Sequence, residues 1–523
     1  MGFDLRNFSD ANLENEYLEH LIDHQAPLNE SQYQRLWTYY RNPLLPVSAI
    51  AAGSMNEHSR PYILGQEIGL PARITGVQRS GASAEVLTDL RRKEVVIEND
   101  ITWRVQTMID FLFGRAVTIR SLADDAEKAS AVESILNALI DANGGISLLQ
   151  EMALFASVYG YVDIILRIPS DWPTSESTLT PPSSFSAAQD SSSAGRNPTH
   201  GDRSKRHIAR AAQLARSIRL ETVEAPRILP ILAEDDYRCT RYWVQRFLQH
   251  PARMTAAKRP WYRLGTASRS PQAVEVVEIL SANWWQRYED RHLVAEGQNA
   301  LGRLPVIHIQ NIASPGTYAG AGDVEPLISL QDELNTRLSD RAHRVTYQSF
   351  KMYLGKGIEN FLERPIGPGQ MWSTQNPAAS IEEFGSDDGS PSEEAHVDQI
   401  RQALDKSSGV TPLAAGLIRG EVGNLTSATA LRVVLSGLLA KTARKQLTFA
   451  AGLAQLAEIV LHWMDQTGVY PTRPEDRRID IHWPSALPTD DSEQLHNAQI
   501  KQTLGVPRER LLAELGYATE ETK

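Results

Sequence analysis

Residues 320–350 read GAGDVEPLISLQDELNTRLSDRAHRVTYQSF. Leu327, Leu330, Leu334, Leu338, Ala342 and Val345 recur every three or four positions, which predicts one long helix over about 324–350. The opposite positions carry Asp332, Glu333, Arg337, Asp340, Arg341 and Arg344. Fully helical, the segment would be ~40 Å long at ~1.5 Å per residue. A narrow apolar stripe on a long charged helix suits packing against neighbouring helices.

C-terminal to it, residues 351–389 form a Gly/Pro-rich excursion with strand candidates Lys351–Leu354 and Met371–Ser373. A second helix then announces itself: Ser390 as N-cap, Pro391 at its first position and Glu393 completing a capping box. Val397, Ile400 and Leu404 give its apolar side, and Gly409 ends it. The stretch GVTPLAAGLIRGEVGNLTSATAL (409–431) carries Gly409, Gly416, Gly420 and Gly423 among small apolar residues and reads as mobile. Thr426 or Ser427 caps another helix, lined by Leu431, Val434, Leu435, Leu438 and Leu439. A further helix is expected from Phe449 to Asp465, a strand at Arg478–Trp483, and terminal helices near Ser492–Leu504 and Pro507–Leu515.

N-terminal to the long helix, residues 220–311 turn to β. Strands are expected at Arg227–Leu232, Tyr237–Leu248, Ala273–Leu280 and Leu304–Gln310, with Trp243, Trp261, Trp284, Trp285 and Tyr288 as packing aromatics. Residues 170–202 are dominated by Ser, Thr, Pro and Gly and read as a flexible surface loop. They run into a basic helix-like stretch, Arg203 to Arg219, with Lys205, Arg206, Arg210 and Arg216. Two readings stay open there: a solvated charged face, or contact with an acidic partner or nucleic acid. Earlier still, helices are expected around 10–41 (interrupted at Pro27), from an Asp100 N-cap to Gly114, and on either side of Gly144-Gly145. Strands are expected at Ala116–Ile119 and over YVDIILRI.

The chain has 523 residues with a formal net charge of −11, 41% hydrophobic and 22% charged. That suits about three globular domains, and the helices and strands read up to residue 168 suit an α/β or α+β domain. The single Cys239 excludes an intrachain disulfide framework. No membrane span is expected, and MGFDLRNFSD lacks the order of a secretory signal. The acidic balance argues against tight whole-surface binding of nucleic acid but not against a chain past which nucleic acid slides.

A search for catalytic chemistry finds no P-loop and no nucleophile elbow. His20 and His24, one helical turn apart, have no evident third metal ligand. The acidic pairs Asp124-Asp125, Asp387-Asp388 and Asp490-Asp491 are of the kind common in loops and helix starts, and Cys239 reads as a buried or idle thiol. No enzyme activity, metal or cofactor is expected.

The order of segments resembles the portal, or head-to-tail connector, proteins of tailed bacteriophages. LTDLRRKEVVIENDITWRVQTMIDFLFGRAVTI (87–119) looks like the portal run that ends in a helix and a short strand. ISLLQEMALFASVYGYVDIILRI (146–168) looks like its helix, "YG" and strand. LPVIHIQN (304–311), then Gly322-Asp323 and LQDELNTRLSD (330–340), resembles the approach to the first stem helix. VTPLAAGLIRGEVGNLTSATALRVVL (410–435) resembles the tunnel loop and the helix after it, and VPRERLLAELGY (506–517) a crown helix.

The resemblance implies an α+β portal fold that closes into a ring of about twelve subunits at one capsid vertex. It implies a wing over 1–322 (with the 170–202 insertion), stem helices at 323–350 and 391–408, a small clip at 351–390, a tunnel loop at 409–426, wing-return helices at 427–466 and a crown at 467–523. In the stem, Leu327, Leu330, Leu334, Leu338, Val397, Ile400 and Leu404 would pack. In the tunnel loop, Leu413, Leu417, Ile418, Arg419 and Glu421 would face DNA. In the clip, Lys351, Lys356, Glu359, Arg364, Met371 and Trp372 would dock partners. The implied partners are passing double-stranded DNA, the large subunit of the packaging terminase, the major capsid protein and scaffold, and head-completion adaptor or tail proteins. The implied place is the virion, after assembly in the host cytoplasm. The rival readings are another oligomeric scaffold or adaptor, and an enzyme with a scattered site.

Overall fold

The computed structural model describes residues 3–8, 13–46, 62–75, 77–80, 83–86, 94–173, 200–234, 236, 239–249, 273–349, 352–356, 376–384, 391–416, 428–485, 491–506, 508 and 511. The chain opens with α1 (Asn15–His20), a π-helical turn at Leu21–Gln25 and α2 (Ala26–Arg41). Pro27 therefore does not interrupt the helix as expected. It sits in the first turn of α2, and the wider turn before it absorbs the missing N–H. Three small elements follow: the pair β1 (Leu44–Pro46) and β2 (Tyr62–Leu64), the one-turn α3 (Ala72–Thr75), and the pair β3 (Val77–Ser80) and β4 (Ser83–Val86).

The helix α4 spans Asp100–Phe113, but its cap is Asn99 rather than Asp100: the Asn99 side chain accepts from the N–H groups of Ile101 and Thr102. Next come β5 (Thr118–Ser121), α5 (Ala126–Ala142), α6 (Ile146–Tyr159), β6 (Tyr161–Arg167) and α7 (His200–Ala215). The basic helix ends early because Arg219–Val223 is already a strand, β7. Then β8 (Ile228–Leu232), β9 (Thr240–Gln249), β10 (Val274–Leu280), β11 (Trp284–Glu289) and β12 (His292–Gln298) build one antiparallel five-stranded sheet in the order β12-β11-β10-β9-β8. The β11–β12 hairpin went unread in the sequence. Its turn is Asp290-Arg291, both in the left-handed region without a glycine.

The strand β13 (Val306–Gln310) closes a second sheet, β13-β6-β7, and leads into α8 (Ile328–Ser349). The excursion after α8 contributes the pair β14 (Met352–Lys356) and β15 (Ser380–Phe384). Beyond α9 (Pro391–Ser408) lie α10 (Ala428–Val434), α11 (Ser436–Gln466), β16 (Ile479–His482), which pairs with β5, and α12 (Asp491–Thr503). The helix expected at Phe449–Asp465 is thus the later half of one 31-residue helix. Its apolar middle matches a membrane span in length and composition, yet Phe449, Leu453, Leu456, Val460, Leu461 and Met464 are all buried in the fold.

Two cores result. The larger gathers α2, α4, α5, α6, the β13-β6-β7 sheet, the start of α8, α9 and α11. The smaller lies between the N-terminal residues and the five-stranded sheet, where Phe3, Phe8, Leu18 and Ile22 meet Tyr242, Val244, Ile279 and Tyr288. Trp243, Trp284, Trp285 and Tyr288 pack in or against these cores, as read from the sequence; Trp261 lies outside the described residues.

Candidate channel-forming elements

The lead-in to α8 is pinned from several sides. Gly160 has φ +94, and a Cβ there would lie 2.3 Å from the Gly320 carbonyl oxygen. A Cβ on Gly320 would in turn meet the Ile312 and Gly160 carbonyls at 2.6 and 2.7 Å. Two chain segments cross here with no room for side chains. Asp323 follows. Its N–H donates to the Ser157 carbonyl at 2.7 Å. Its fully buried carboxylate meets Lys445 Nζ at 2.5 Å and Lys441 Nζ at 2.8 Å, and accepts from Asn311 Nδ2 at 3.0 Å. Burial alone would raise the Asp323 carboxyl, but the two lysines more than offset this and hold it well below the usual carboxylate range. The buried Lys445 also donates to Ser157 Oγ at 3.1 Å. The start of α8 is thereby clamped to α6 and α11 by groups that cannot be parted cheaply.

Along α8 two faces differ. The expected stripe holds along the first part of α8, where Leu327 and Leu334 are fully buried, Leu330 and Leu338 pack against the core, and Val397, Ile400 and Leu404 of α9 enter the same cluster; it fails at Val345, which is exposed. Ion pairs join Arg341 to Glu394 and Arg344 to Glu393, and His396 Nε2 lies 3.5 Å from the Glu333 carboxylate. Rising numbers on α8 meet falling numbers on α9, so the two helices run antiparallel.

The second face was missed in the sequence. Gln331, Asn335 and Ser339 are buried and aim at the extended segment 96–100. Gln331 accepts from the Asp100 N–H at 3.1 Å and donates to the Glu98 carbonyl at 2.6 Å. Asn335 accepts from the Glu98 N–H at 3.0 Å, and Ser339 Oγ accepts from the Val96 N–H at 3.0 Å. Asn335 also donates to Gln66 Oε1 at 3.0 Å. A helix face thus supplies the polar partners that a neighbouring strand would otherwise give. The signal was available: Gln, Asn and Ser stand four residues apart on one helical line. Asp332 accepts from the Tyr39 hydroxyl at 2.6 Å. Burial raises both groups; the Asp332 carboxylate raises the Tyr39 hydroxyl further, while the hydrogen bond from Tyr39 works against the rise at Asp332.

The far end of α9 is tied back to α4. Arg104, buried over the Trp103 ring, reaches Asp405 at 2.5 Å and Asp100 at 3.3 Å. Gly409, with φ +74, ends α9, and Val410 is buried against Met108 and Leu438. A 3-10 turn, Pro412–Ala415, follows, with Leu413 half-buried. Leu417, Ile418, Arg419 and Glu421 lie outside the described residues. In the excursion, Lys356 is exposed on β14, opposite Ser380 of β15. Lys351, Glu359, Arg364, Met371 and Trp372 lie outside the described residues, as do the Met371–Ser373 strand candidate, residues 174–199 and Ser390.

The remaining candidates stay apart. The His20 and His24 rings sit 5.2 Å from each other, and no cluster of three or more His, Cys, Asp or Glu that could hold a metal occurs among the described residues. Cys239 is exposed, not buried.

These elements define a class: a mixed α+β subunit built around an antiparallel pair of helices joined by a small excursion. Residues 272–522 match the family described as "Phage portal protein, SPP1 Gp6-like". No curated protein matches. Two of the similar solved structures are from gene transfer agent particles. One, "Neck of empty GTA particle computed with C6 symmetry", is 11% identical with TM-score 0.42, over 80% of this chain and 90% of that one. The other, "Virion of native gene transfer agent (GTA) particle", is 10% identical with TM-score 0.37, over 79% and 93%.

Proposed function

We propose that this chain is the subunit of a closed portal ring of about twelve copies, set at one capsid vertex, through which double-stranded DNA is packaged and later ejected. The observation that carries the reading is the family match, which spans both helices of the α8–α9 pair, the excursion between them and the loop after them. In this reading α8 and α9 are the stem, 351–390 is the clip that receives the packaging terminase and then the adaptor or tail proteins, and 409–426 is the tunnel loop. Residues 1–322 and 427–466 form the wing and 467–523 the crown, with capsid protein and scaffold around them. Motor chemistry belongs to a separate ATPase, and the chain itself catalyses nothing.

The physics is consistent with a conduit. Each phosphate held by Lys or Arg adds affinity and therefore friction. The stretch 413–421 is mostly small and apolar, with Arg419 and Glu421 its only formal charges. A stem helix must keep its place while DNA passes, and the lead-in and polar face of α8 supply that fixity. The test is in the loop. Leu417→Trp or Ile418→Glu should leave rings intact by negative stain and cut DNA packaging at least tenfold. Packaging at wild-type yield in both variants would overturn the loop's role.

A further inference from the structure

The helix α7 carries a feature that the ring reading does not use. From Arg203 to Arg219 there are six basic residues and no acidic one. Removing this +6 from the net charge of −11 leaves −17 on the remainder of the chain. Lys205, Arg206, Arg210, Arg216 and Arg219 are all exposed, and none has an ion-pair partner among the described residues. Several other cations are paired instead: Arg73, Arg167, Arg246 and Arg287 each hold a carboxylate within 3.1 Å.

The arc is also held in place. Ala211, Ala215 and Ile218 are fully buried against the core. At roughly 100° per residue, Lys205, Arg206, Arg210 and Arg216 fall on the side away from Ala211 and Ala215. Asn143 fixes the end of the segment, donating to the Ile218 carbonyl at 2.9 Å and accepting from the Leu220 N–H at 2.8 Å. The cations are thus mounted on a fixed helix.

We propose that this arc binds the phosphate backbone of double-stranded DNA, independently of sequence and outside any channel. The charge pattern favours a polyanion over a protein face. Lys205 to Ala215 spans ~15 Å, and duplex DNA offers one phosphate per ~1.7 Å of axis, so each cation meets a phosphate without a set register. An acidic protein face would have to match the positions of these cations one by one, whereas a duplex presents phosphates all along its axis. The net charge of the rest of the chain is negative, so among the described residues this exposed cationic arc is a face that DNA can approach. The proposal does not depend on ring closure.

The experiment measures binding of the full-length protein to a blunt duplex of about 20 base pairs, from 50 to 200 mM salt. In the triple variant R206A/R210A/R216A the slope of log affinity against log salt should fall in magnitude by ~2.7, about 0.9 per lost contact. Over that fourfold salt range, wild type should lose roughly 40-fold more affinity than the variant. The variant R206K/R210K/R216K, which keeps the charge, should retain the wild-type slope. Circular dichroism and native mass identify a variant that fails to fold or assemble. An unchanged slope in the alanine variant, or no binding by wild type at 50 mM salt, overturns the proposal. So does a change of native mass with unchanged DNA affinity, which would make the arc a contact between copies of this chain. Because a short duplex is used, loss of ring formation on its own would sink the portal reading and leave this one standing.

Discussion

The two long helices α8 and α11 are held in different ways. α11 is a core helix: its buried side is Phe449, Leu453, Leu456, Val460 and Met464, and Gly452 lets it lie close on Ile309 of β13. Such contacts are non-directional and tolerate repacking. α8 has one apolar stripe shared with α9, and on its other side a ladder of directed hydrogen bonds from Gln331, Asn335 and Ser339. Directed bonds fix register. Sliding the helix by one turn would leave buried amides and main-chain groups unpaired, at ~1–3 kcal/mol each. The Asp323–Lys445 pair joins the two regimes, since it ties the start of α8 to α11.

The largest effect should come from that joint. Asp323→Ala leaves Lys445 buried and unpaired and should cost ~3–5 kcal/mol in denaturant unfolding. Asp323→Ala with Lys445→Met should recover much of it, because the pair then goes together. Acid titration sharpens the point. The folded carboxyl lies below its unfolded value of ~3.9, so its stabilisation is complete above that pH and is lost as pH falls below it. Asp323→Asn should flatten the stability curve below about pH 4.

Next is a cavity in the other regime. Phe449→Ala, opposite Phe113 at 5.4 Å between ring centres, should cost ~3–5 kcal/mol, and Phe449→Leu markedly less. The ladder then separates the two regimes. Asn335→Leu keeps much of the volume but unpairs the Glu98 N–H and Gln66, and should cost ~1–3 kcal/mol, read by urea unfolding. If volume were all that mattered on that face, the variant would be neutral. The smallest effect should be at the half-exposed Arg337–Glu333 pair, 2.7 Å apart: Arg337→Ala should shift stability by at most ~0.5 kcal/mol.

The same contrast explains what could be read from the sequence. The apolar periodicity of 324–350 and the Pro391 start of α9 placed both helices, and the five apolar strand runs fell close to β6, β8, β9, β10 and β13. Hydrophobic spacing is a local property, so it survives in one dimension. The ladder did not emerge, because Gln331, Asn335 and Ser339 are polar residues whose partners lie more than 200 positions away. Nor did the β11–β12 hairpin, whose turn uses Asp290-Arg291 in place of the glycine or asparagine that usually marks one. The Asp100 N-cap was one residue off because Asp100 and Asn99 are both good caps and only the three-dimensional geometry chooses. The ionic joint was half visible: Asp323 stood out beside Gly322, but nothing local pointed to Lys441 and Lys445.

The most direct test of the portal reading is the native mass of the purified protein together with its negative-stain image. The account predicts rings with a central hole, near twelve copies of the 58.1 kDa chain, about 700 kDa. A monomer or dimer that never closes into rings, at high concentration and in the presence of capsid partners, would contradict it.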